Sequence, residues 1–181
     1  MAVSFSAVVA VITVLWVIGR VIIALLSKKI VYKRELQLLL IYMCIIGLTR
    51  LTFFPFHLVN GKIQPMTVTF SEYRFNLAPL VHLFDYTARS DLLLNVIGNC
   101  VMFIPIGFIL PIVYKELNRF YKVLLTGFLL SFSIEITQLI FTDRMCDVDD
   151  LILNTVGCFI GYGVYCIVVT LTKSEKSRTN N

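Results

Sequence analysis

Ionisable and amide side chains recur at helical spacing within otherwise apolar parts of this 181-residue chain. Residues three or four positions apart lie on the same face of a helix, so a set with that spacing forms a polar stripe. A polar group inside hydrocarbon is costly, and each such residue therefore needs a partner or a function. Three sets have this spacing: Asp91, Asn95 and Asn99; Ser131, Glu135, Gln138 and Thr142; and Asp150, Asn154, Gly157 and Gly161.

These residue types suit the recognition of a polar, anionic group. Two guanidinium groups, those of Arg50 and Arg144, can hold a phosphate or a carboxylate through charge-assisted hydrogen bonds. Neutral donors and acceptors come from four side-chain amides, those of Asn95, Asn99, Gln138 and Asn154. This binding interpretation requires neither a metal ion nor a cofactor.

The acidic residues allow a different chemistry. Hard oxygen ligands for Mg²⁺ or Mn²⁺ come from Glu135, Asp147, Asp149 and Asp150. A bound ion would activate water or a lipid phosphate oxygen, and Glu135, removed from water, could instead act as a general base. No nucleophile constellation and no hydrolase motif accompany these carboxylates. Carboxylates in such surroundings also occur in purely structural networks, which gives the enzyme interpretation the smaller weight.

A structural interpretation also accounts for several of these residues. Arg50 and Glu135 could neutralise each other, although a buried ion pair costs desolvation and is poor evidence of stabilisation. One aspartate near 147–150 is expected to begin a helix by accepting hydrogen bonds from free backbone N–H groups. We assign that task to Asp149, which lies outside the shared stripe. This interpretation explains each residue separately but not their common depth in the bundle.

The composition indicates that these residues lie in a membrane protein. Hydrophobic residues make up 58% of the chain and charged residues 15%, whereas a soluble domain has about 45–50% and about 25%. Five apolar stretches approach or exceed the roughly 20 residues that a helix needs to cross a bilayer. The sequence thus predicts an all-α integral membrane bundle of about five helices, near 3–26, 36–54, 92–113, 120–141 and 151–172.

Basic residues in the short connections predict the orientation. They concentrate in the first connection, the third connection and the C-terminal segment: Lys28, Lys29, Lys33 and Arg34; Lys115, Arg119 and Lys122; and Lys173, Lys176 and Arg178. The positive-inside tendency makes these three segments cytoplasmic, with the N-terminus outside and the C-terminus inside. The polar residues of the second to fifth helices then meet near the outer leaflet. The net charge of +5 is explained by orientation and does not indicate nucleic-acid binding.

The long connection near 55–91 is rich in aromatic residues, which concentrate at membrane interfaces. We expect an interfacial or re-entrant segment there, with a short helix beginning at Pro79. Pro105 predicts a kink or break in the third span. Gly157 and Gly161 form a small-xxx-small pair, which predicts the close approach of another helix. Arg20 falls late in the first span, where its long side chain is expected to reach the headgroups. The chain divides into an N-terminal helix and basic loop at 1–35, a transmembrane domain at 36–172 and a cytoplasmic tail at 173–181, whose last few residues are expected to be disordered.

The spacing of the polar residues and glycines resembles the signature of the VanZ-like family. The similarity covers about 46–165 and includes an N-x-x-P element at Asn76 and Pro79. It continues with E-x-x-Q at Glu135 and Gln138, R-x-x-D-x-x-D from Arg144 to Asp150, and N-x-x-G at Asn154 and Gly157. The resemblance implies a bacterial inner-membrane protein linked to low-level resistance to teicoplanin and related lipid-bearing glycopeptides. It does not supply a reaction.

Two functional hypotheses follow, with transport as a weaker third because no internal duplication is visible. The first is a non-catalytic module that binds a lipoglycopeptide or a lipid-linked cell-wall precursor at the outer leaflet, among membrane lipids and as a monomer or homodimer. The second is a membrane-embedded enzyme that uses Glu135, Asp147 and Asp150. The best site candidates are Glu135, Arg144, Asp147, Asp150 and Asn154, followed by Arg50, Asn95, Asn99 and Gln138.

Overall fold

Five long helices dominate the computed structural model, which describes residues 2–27, 31–54, 58–59, 61–67, 75–79, 89–140 and 146–179. Within these residues, all five are long and apolar enough to cross a membrane. The prediction of a five-helix, all-α membrane bundle is therefore confirmed. The helices are α1 (Phe5–Ser27), α2 (Tyr32–Phe53), α3 (Arg89–Val113), α4 (Phe120–Gln138) and α5 (Val148–Thr179).

The helix ends differ from the sequence prediction by about a turn at several points. The largest difference is at the end of α5, which continues to Thr179 beyond the predicted end near 172. α4 ends at Gln138, and Thr142 of its predicted stripe lies outside the described residues. α3 is continuous through Pro105 and Pro111, so it is not broken there, and a kink at Pro105 stays a prediction. These differences reflect the weak boundary signal that an apolar run without caps provides.

Short strands lie before α1 and in the described parts of the α2–α3 and α4–α5 connections. β2 (Leu58–Val59) and β3 (Lys62–Ile63) form an antiparallel hairpin, and Gly61 in its turn has a φ of 71°. β1 (Ala2–Val3) pairs antiparallel with β4 (Met66–Thr67), and β5 (Phe75–Asn76) pairs with β6 (Cys146–Asp147). The short helix predicted to begin at Pro79 would include residues 80–84, which lie outside the described residues.

The chain divides into two compact units. The N-terminal unit comprises Met1–Phe75 and Ile134–Cys146, and the C-terminal unit comprises Asn76–Ser133 and Asp147–Asn181. In the N-terminal unit, α1 packs on α2 through the rings of Trp16 and Tyr42, whose centroids are 5.1 Å apart. The Tyr42 hydroxyl also shares a 2.7 Å hydrogen bond with Thr13.

Arg20 in α1 forms a bidentate ion pair with Glu35 in the first turn of α2. Its Nε donates to Glu35 Oε2 at 2.9 Å, and its Nη2 donates to Oε1. We expected Arg20 to extend towards the headgroups, as an isolated arginine near a membrane interface would. The structure instead pairs it with a carboxylate, which lowers the cost of keeping the charge beside the apolar helices.

Glycine residues allow α3 and α5 to approach closely in the C-terminal unit. A Cβ atom at Gly157 would overlap the carbonyl oxygen of Cys100, and one at Gly161 would overlap that of Ile104. The contact is reciprocal, because a Cβ atom at Gly107 of α3 would overlap the carbonyl oxygen of Cys158 in α5. The predicted small-residue packing surface at Gly157 and Gly161 is therefore present, and its partner is the backbone of α3.

Candidate functional site

The predicted polar residues that the structure describes lie near the helix ends joined by the α2–α3 and α4–α5 connections. Arg50 is in the last turn of α2, and Asn95 and Asn99 lie in the first half of α3. Glu135 and Gln138 are in the last turns of α4, and Asp150 and Asn154 are in the first two turns of α5. Each helix therefore carries its candidate residues at one end, as the sequence predicts.

Asn99 connects α3 to α5 in the C-terminal unit. Its Nδ2 donates to Asp150 Oδ1 and also to Asn95 Oδ1, the second bond at 2.7 Å. The spacing of Asn95 and Asn99 by four residues makes this bond along α3 possible, while Asp150 comes from the first turn of α5. One amide thus holds both a carboxylate and a second amide near the start of two membrane-spanning helices. The three residues form a polar cluster, which we call the Asn99 cluster.

Asn154 lies one turn further along α5 and is more deeply buried. Its exposed fraction is 2%, and its Nδ2 donates to Ser131 Oγ of α4 at 2.9 Å, where Ser131 is fully buried. Within the described part of the chain, Asn154 Oδ1 is the buried side-chain atom that receives no hydrogen bond. A buried amide oxygen without a donor costs about 1–3 kcal/mol, so this position favours a group that can donate to it.

Asp147 begins α5, contrary to our assignment of that task to Asp149. Asp147 Oδ1 accepts from the backbone N–H of Asp149 at 2.8 Å, two residues on, which is the geometry of an N-cap. The same oxygen accepts from Asn76 Nδ2 at 3.1 Å. Asn76 in turn accepts from the backbone N–H of Ala78 at 3.3 Å. Asp147 therefore has a structural task that links β5 to the start of α5, and Asp149 is buried in the first turn.

In the N-terminal unit, Gln138 and Arg50 bind backbone carbonyls near the end of α2. Gln138 Nε2 donates to the carbonyl of Thr52 at 3.0 Å, and Gln138 is 5% exposed. Arg50 Nη1 donates to the carbonyl of Phe54 at 3.2 Å. These bonds satisfy carbonyls that the last turn of a helix leaves without an intrahelical donor. Glu135 is 2% exposed on the same buried face of α4 as Gln138 and Ser131.

Arg144 lies outside the described residues, so its predicted role remains a prediction. The remaining candidates fall into separate local groups: the Asn99 cluster, Asn154 with Ser131, Asp147 with Asn76, and Gln138 with Thr52. Glu135 and Arg50 belong to the N-terminal unit with Gln138. The sequence also contained two partners that we did not rank. Ser131, the partner of Asn154, belongs to the predicted α4 stripe, and Asn76, the partner of Asp147, belongs to the N-x-x-P element.

The acidic residues do not assemble a metal site in the part of the chain that the structure describes. Among those residues, no three His, Cys, Asp or Glu side chains are arranged to hold a metal ion. Asp147 is used in capping α5, and Asp150 accepts from an amide. A site in which three or more of these carboxylates hold one ion is therefore not formed among the described residues.

Comparison with known proteins identifies the family. The family model of VanZ/LLP1 matches residues 38–169, which include most of α2, all of α3 and α4, and most of α5. Over 85 residues, 47% of this chain, the sequence is 35% identical to Protein VanZ of Enterococcus faecium. The aligned part makes up 52% of that relative, so the chain spans about half the length of the curated protein it matches. No solved structure matches. The chain belongs to the VanZ/LLP1 family and is a multi-pass membrane protein.

Proposed function

We propose that this protein is a non-catalytic membrane module that binds a lipid-bearing ligand at the outer leaflet and thereby confers low-level resistance to teicoplanin-type lipoglycopeptides. The ligand is either the antibiotic or a lipid-linked cell-wall precursor. Both molecules combine a hydrocarbon chain with a polar headgroup that carries ionised groups. Membership of the VanZ/LLP1 family supports the resistance role, and the polar side chains near the helix ends support binding.

The observation that carries the proposal is the presence of polar side chains, some buried and some half-buried, within helices that otherwise suit lipid. Asn99 and Asp150 bond to each other across α3 and α5, and Asn154 keeps a buried amide oxygen without a donor among the described residues. The glycines account for the close approach of the two backbones, so that approach does not by itself explain why polar side chains occur there. Polar groups of this kind within membrane helices are a reason to expect a functional site.

Binding is favoured over catalysis by the partners of the carboxylates. The oxygens of a carboxylate accept from hydroxyl, amine or amide donors, as Asp150 does from the amide of Asn99, and such donors are present on the proposed ligands. Asp147 is already engaged in capping α5. Apart from the carboxylates and the Ser131 hydroxyl, the polar groups among the candidate residues are amides and guanidinium groups, which recognise headgroups but do not by themselves supply a nucleophile.

The outer leaflet is favoured by the distribution of basic residues. Lys28 and Lys29 lie between α1 and α2, and Lys33 and Arg34 follow in the first turn of α2. Three further basic residues lie at the end of α5: Lys173, Lys176 and Arg178. The positive-inside tendency assigns both segments to the cytoplasm. Because the candidate residues lie at the opposite ends of α2 and α5, they would face the extracytoplasmic side, where lipoglycopeptides and exported wall precursors are found.

Ligand binding can be measured on purified protein in lipid nanodiscs. We expect fluorescently labelled teicoplanin or labelled lipid II to bind saturably and the deacylated form of the same glycopeptide to bind at least about tenfold more weakly, because the lost hydrocarbon chain contributes about 0.8 kcal/mol per buried methylene. Empty nanodiscs provide the control for partition into lipid. Absence of binding for both ligands, with full resistance in cells that make the same protein, would contradict the proposal. Metal-dependent turnover of a lipid substrate would replace it with the enzyme hypothesis.

A further inference from the structure

The N-terminal unit contains a cavity of about 240 Å³. It lies where α1 begins and where α2 and α4 end, because its walls come from the first turns of α1, the last turn of α2, β4 and the last turn of α4. Its lining residues are Val8, Ile12, Thr49, Phe53, Phe54, Met66 and Thr137. A pocket for a whole drug-sized ligand has about 300–1,000 Å³, so this cavity suits one segment of a larger molecule.

The lining of the cavity is hydrocarbon in character. Five of its seven residues are apolar, and the other two are threonines. The hydroxyl of Thr49 is engaged within α2, where its Oγ1 donates to the carbonyl of Ile45 at 2.8 Å. An apolar cavity excludes water and takes apolar guests. The occupant is therefore expected to be hydrocarbon, and in a bilayer the available hydrocarbon is an acyl or prenyl chain.

Two contacts fix the walls of this cavity in place. Met66 in β4 pairs with Val3 in β1, directly before α1, so the connection after α2 is attached to the start of the chain. The ring of Phe54 packs edge-to-face on that of Phe5 with centroids 5.2 Å apart, and Phe54 is 1% exposed. The cavity is therefore bounded by elements that hold one another, and a guest would not need to open them.

A cation lies beside the cavity. Arg50 follows the lining residue Thr49, and its guanidinium donates to the carbonyl of Phe54, another lining residue, at 3.2 Å. A guanidinium has five N–H donors, and this bond uses one of them. The hydrocarbon lining and the adjacent charge together match an amphiphile that has an anionic headgroup above its chain.

We infer that this cavity is the seat of one hydrocarbon chain of an anionic amphiphile whose headgroup Arg50 holds. The identity of that amphiphile, the antibiotic or the wall precursor, rests on the proposed function. The inference adds the place where the hydrocarbon chain of that ligand binds. None of the lining residues of the seat belongs to the Asn99 cluster or to the site candidates ranked from the sequence. Arg50, which adjoins the seat, is one of those candidates.

Photolabelling in nanodiscs tests the seat. The probes are phosphatidylglycerol and phosphatidylcholine with the same diazirine-bearing acyl chain, and labelled residues are located by mass spectrometry. We expect phosphatidylglycerol to label the lining residues, and Ile12→Trp to reduce this labelling several-fold because the indole fills the cavity. The matched control is Leu15→Trp on the lipid-facing side of α1, where Leu15 is 64% exposed, and it should leave the labelling unchanged.

Arg50→Gln tests the headgroup contact. We expect it to lower phosphatidylglycerol labelling of the lining about tenfold, as loss of a charge-assisted hydrogen bond predicts, while labelling by phosphatidylcholine stays constant. Thermal unfolding of each variant in detergent shows whether the unit still folds. The inference would be overturned if both lipids labelled the protein equally, if the label spread over the outer face of α1 including Leu15, and if Ile12→Trp left it unaffected.

Competition separates the seat from the proposed function. If excess teicoplanin or lipid II prevents phosphatidylglycerol from labelling the lining residues, the occupant of the seat is the hydrocarbon chain of that ligand. If phosphatidylglycerol labels the lining selectively and neither competitor reduces the labelling, the seat is supported and its occupant is a membrane phospholipid. That result counts against the proposed function alone. Saturable binding of teicoplanin or lipid II combined with non-selective labelling would count against the seat alone.

Discussion

Gly157→Leu will prevent stable assembly of the C-terminal unit. Gly157 faces the backbone of α3, and even a Cβ atom there would overlap the carbonyl oxygen of Cys100. Backbone atoms cannot move aside as a flexible side chain can, so α3 and α5 must separate and lose the contact along their whole shared length. We expect a loss of more than about 3 kcal/mol of stability, at the upper end of the range for overpacked sites.

The measurement is thermal unfolding of the purified variant in detergent, together with the yield of monodisperse protein. Gly163→Leu is the matched control, because Gly163 lies on the same helix and nothing lies within 4 Å of an added Cβ atom. We expect that control to unfold as the wild type does. If Gly157→Leu left the melting temperature unchanged, that result would contradict the close approach of α3 and α5.

Asp150→Asn will remove function while leaving the fold intact. An asparagine at position 150 has nearly the same volume and still offers an oxygen to accept from Asn99 Nδ2, so the link between α3 and α5 can persist. Removing a charge also lowers the cost of placing the residue in a membrane helix. The substitution therefore isolates the negative charge, which we propose takes part in binding the ligand's headgroup.

We expect cells that make this variant to show teicoplanin susceptibility equal to that of cells without the protein, while its amount in the membrane stays normal. The control is Glu175→Gln, which removes an exposed carboxylate at the far end of the same helix and should preserve resistance. Full resistance in the Asp150→Asn strain would mean that the carboxylate has only a structural task. Loss of the protein from the membrane would mean that the charge is needed for folding.

The five helices were predictable because a long apolar run has few other stable forms in a chain of this composition. The polar stripe of α4 was also predictable, since Ser131, Glu135 and Gln138 recur at helical spacing and all three are buried. The positions of Gly157 and Gly161 indicated close packing in advance. Their partner was not evident, because helical spacing identifies a face of one helix but not the helix that contacts it.

Local geometry explains the predictions that were wrong. Its place outside the stripe favours Asp149 as the residue that caps the helix. The structure begins α5 at Val148, so the capping oxygen comes from Asp147. A shift of one or two residues in a helix boundary is enough to reassign a cap. Arg20 was expected to reach the headgroups, but its partner Glu35 lies on a neighbouring helix, and pairing between helices is invisible to a single-helix pattern. The apolar cavity likewise depends on residues far apart in the sequence.

The side of the membrane reached by the candidate residues is measured most directly by cysteine labelling in intact cells. In a background without the five native cysteines, Leu77→Cys lies in the α2–α3 connection and Glu116→Cys lies between α3 and α4, at opposite ends of α3. Both positions are exposed. A membrane-impermeant maleimide should label position 77 in intact cells and position 116 only after the membrane is opened. The reverse pattern would place the buried amides and carboxylates on the cytoplasmic side and contradict binding at the outer leaflet.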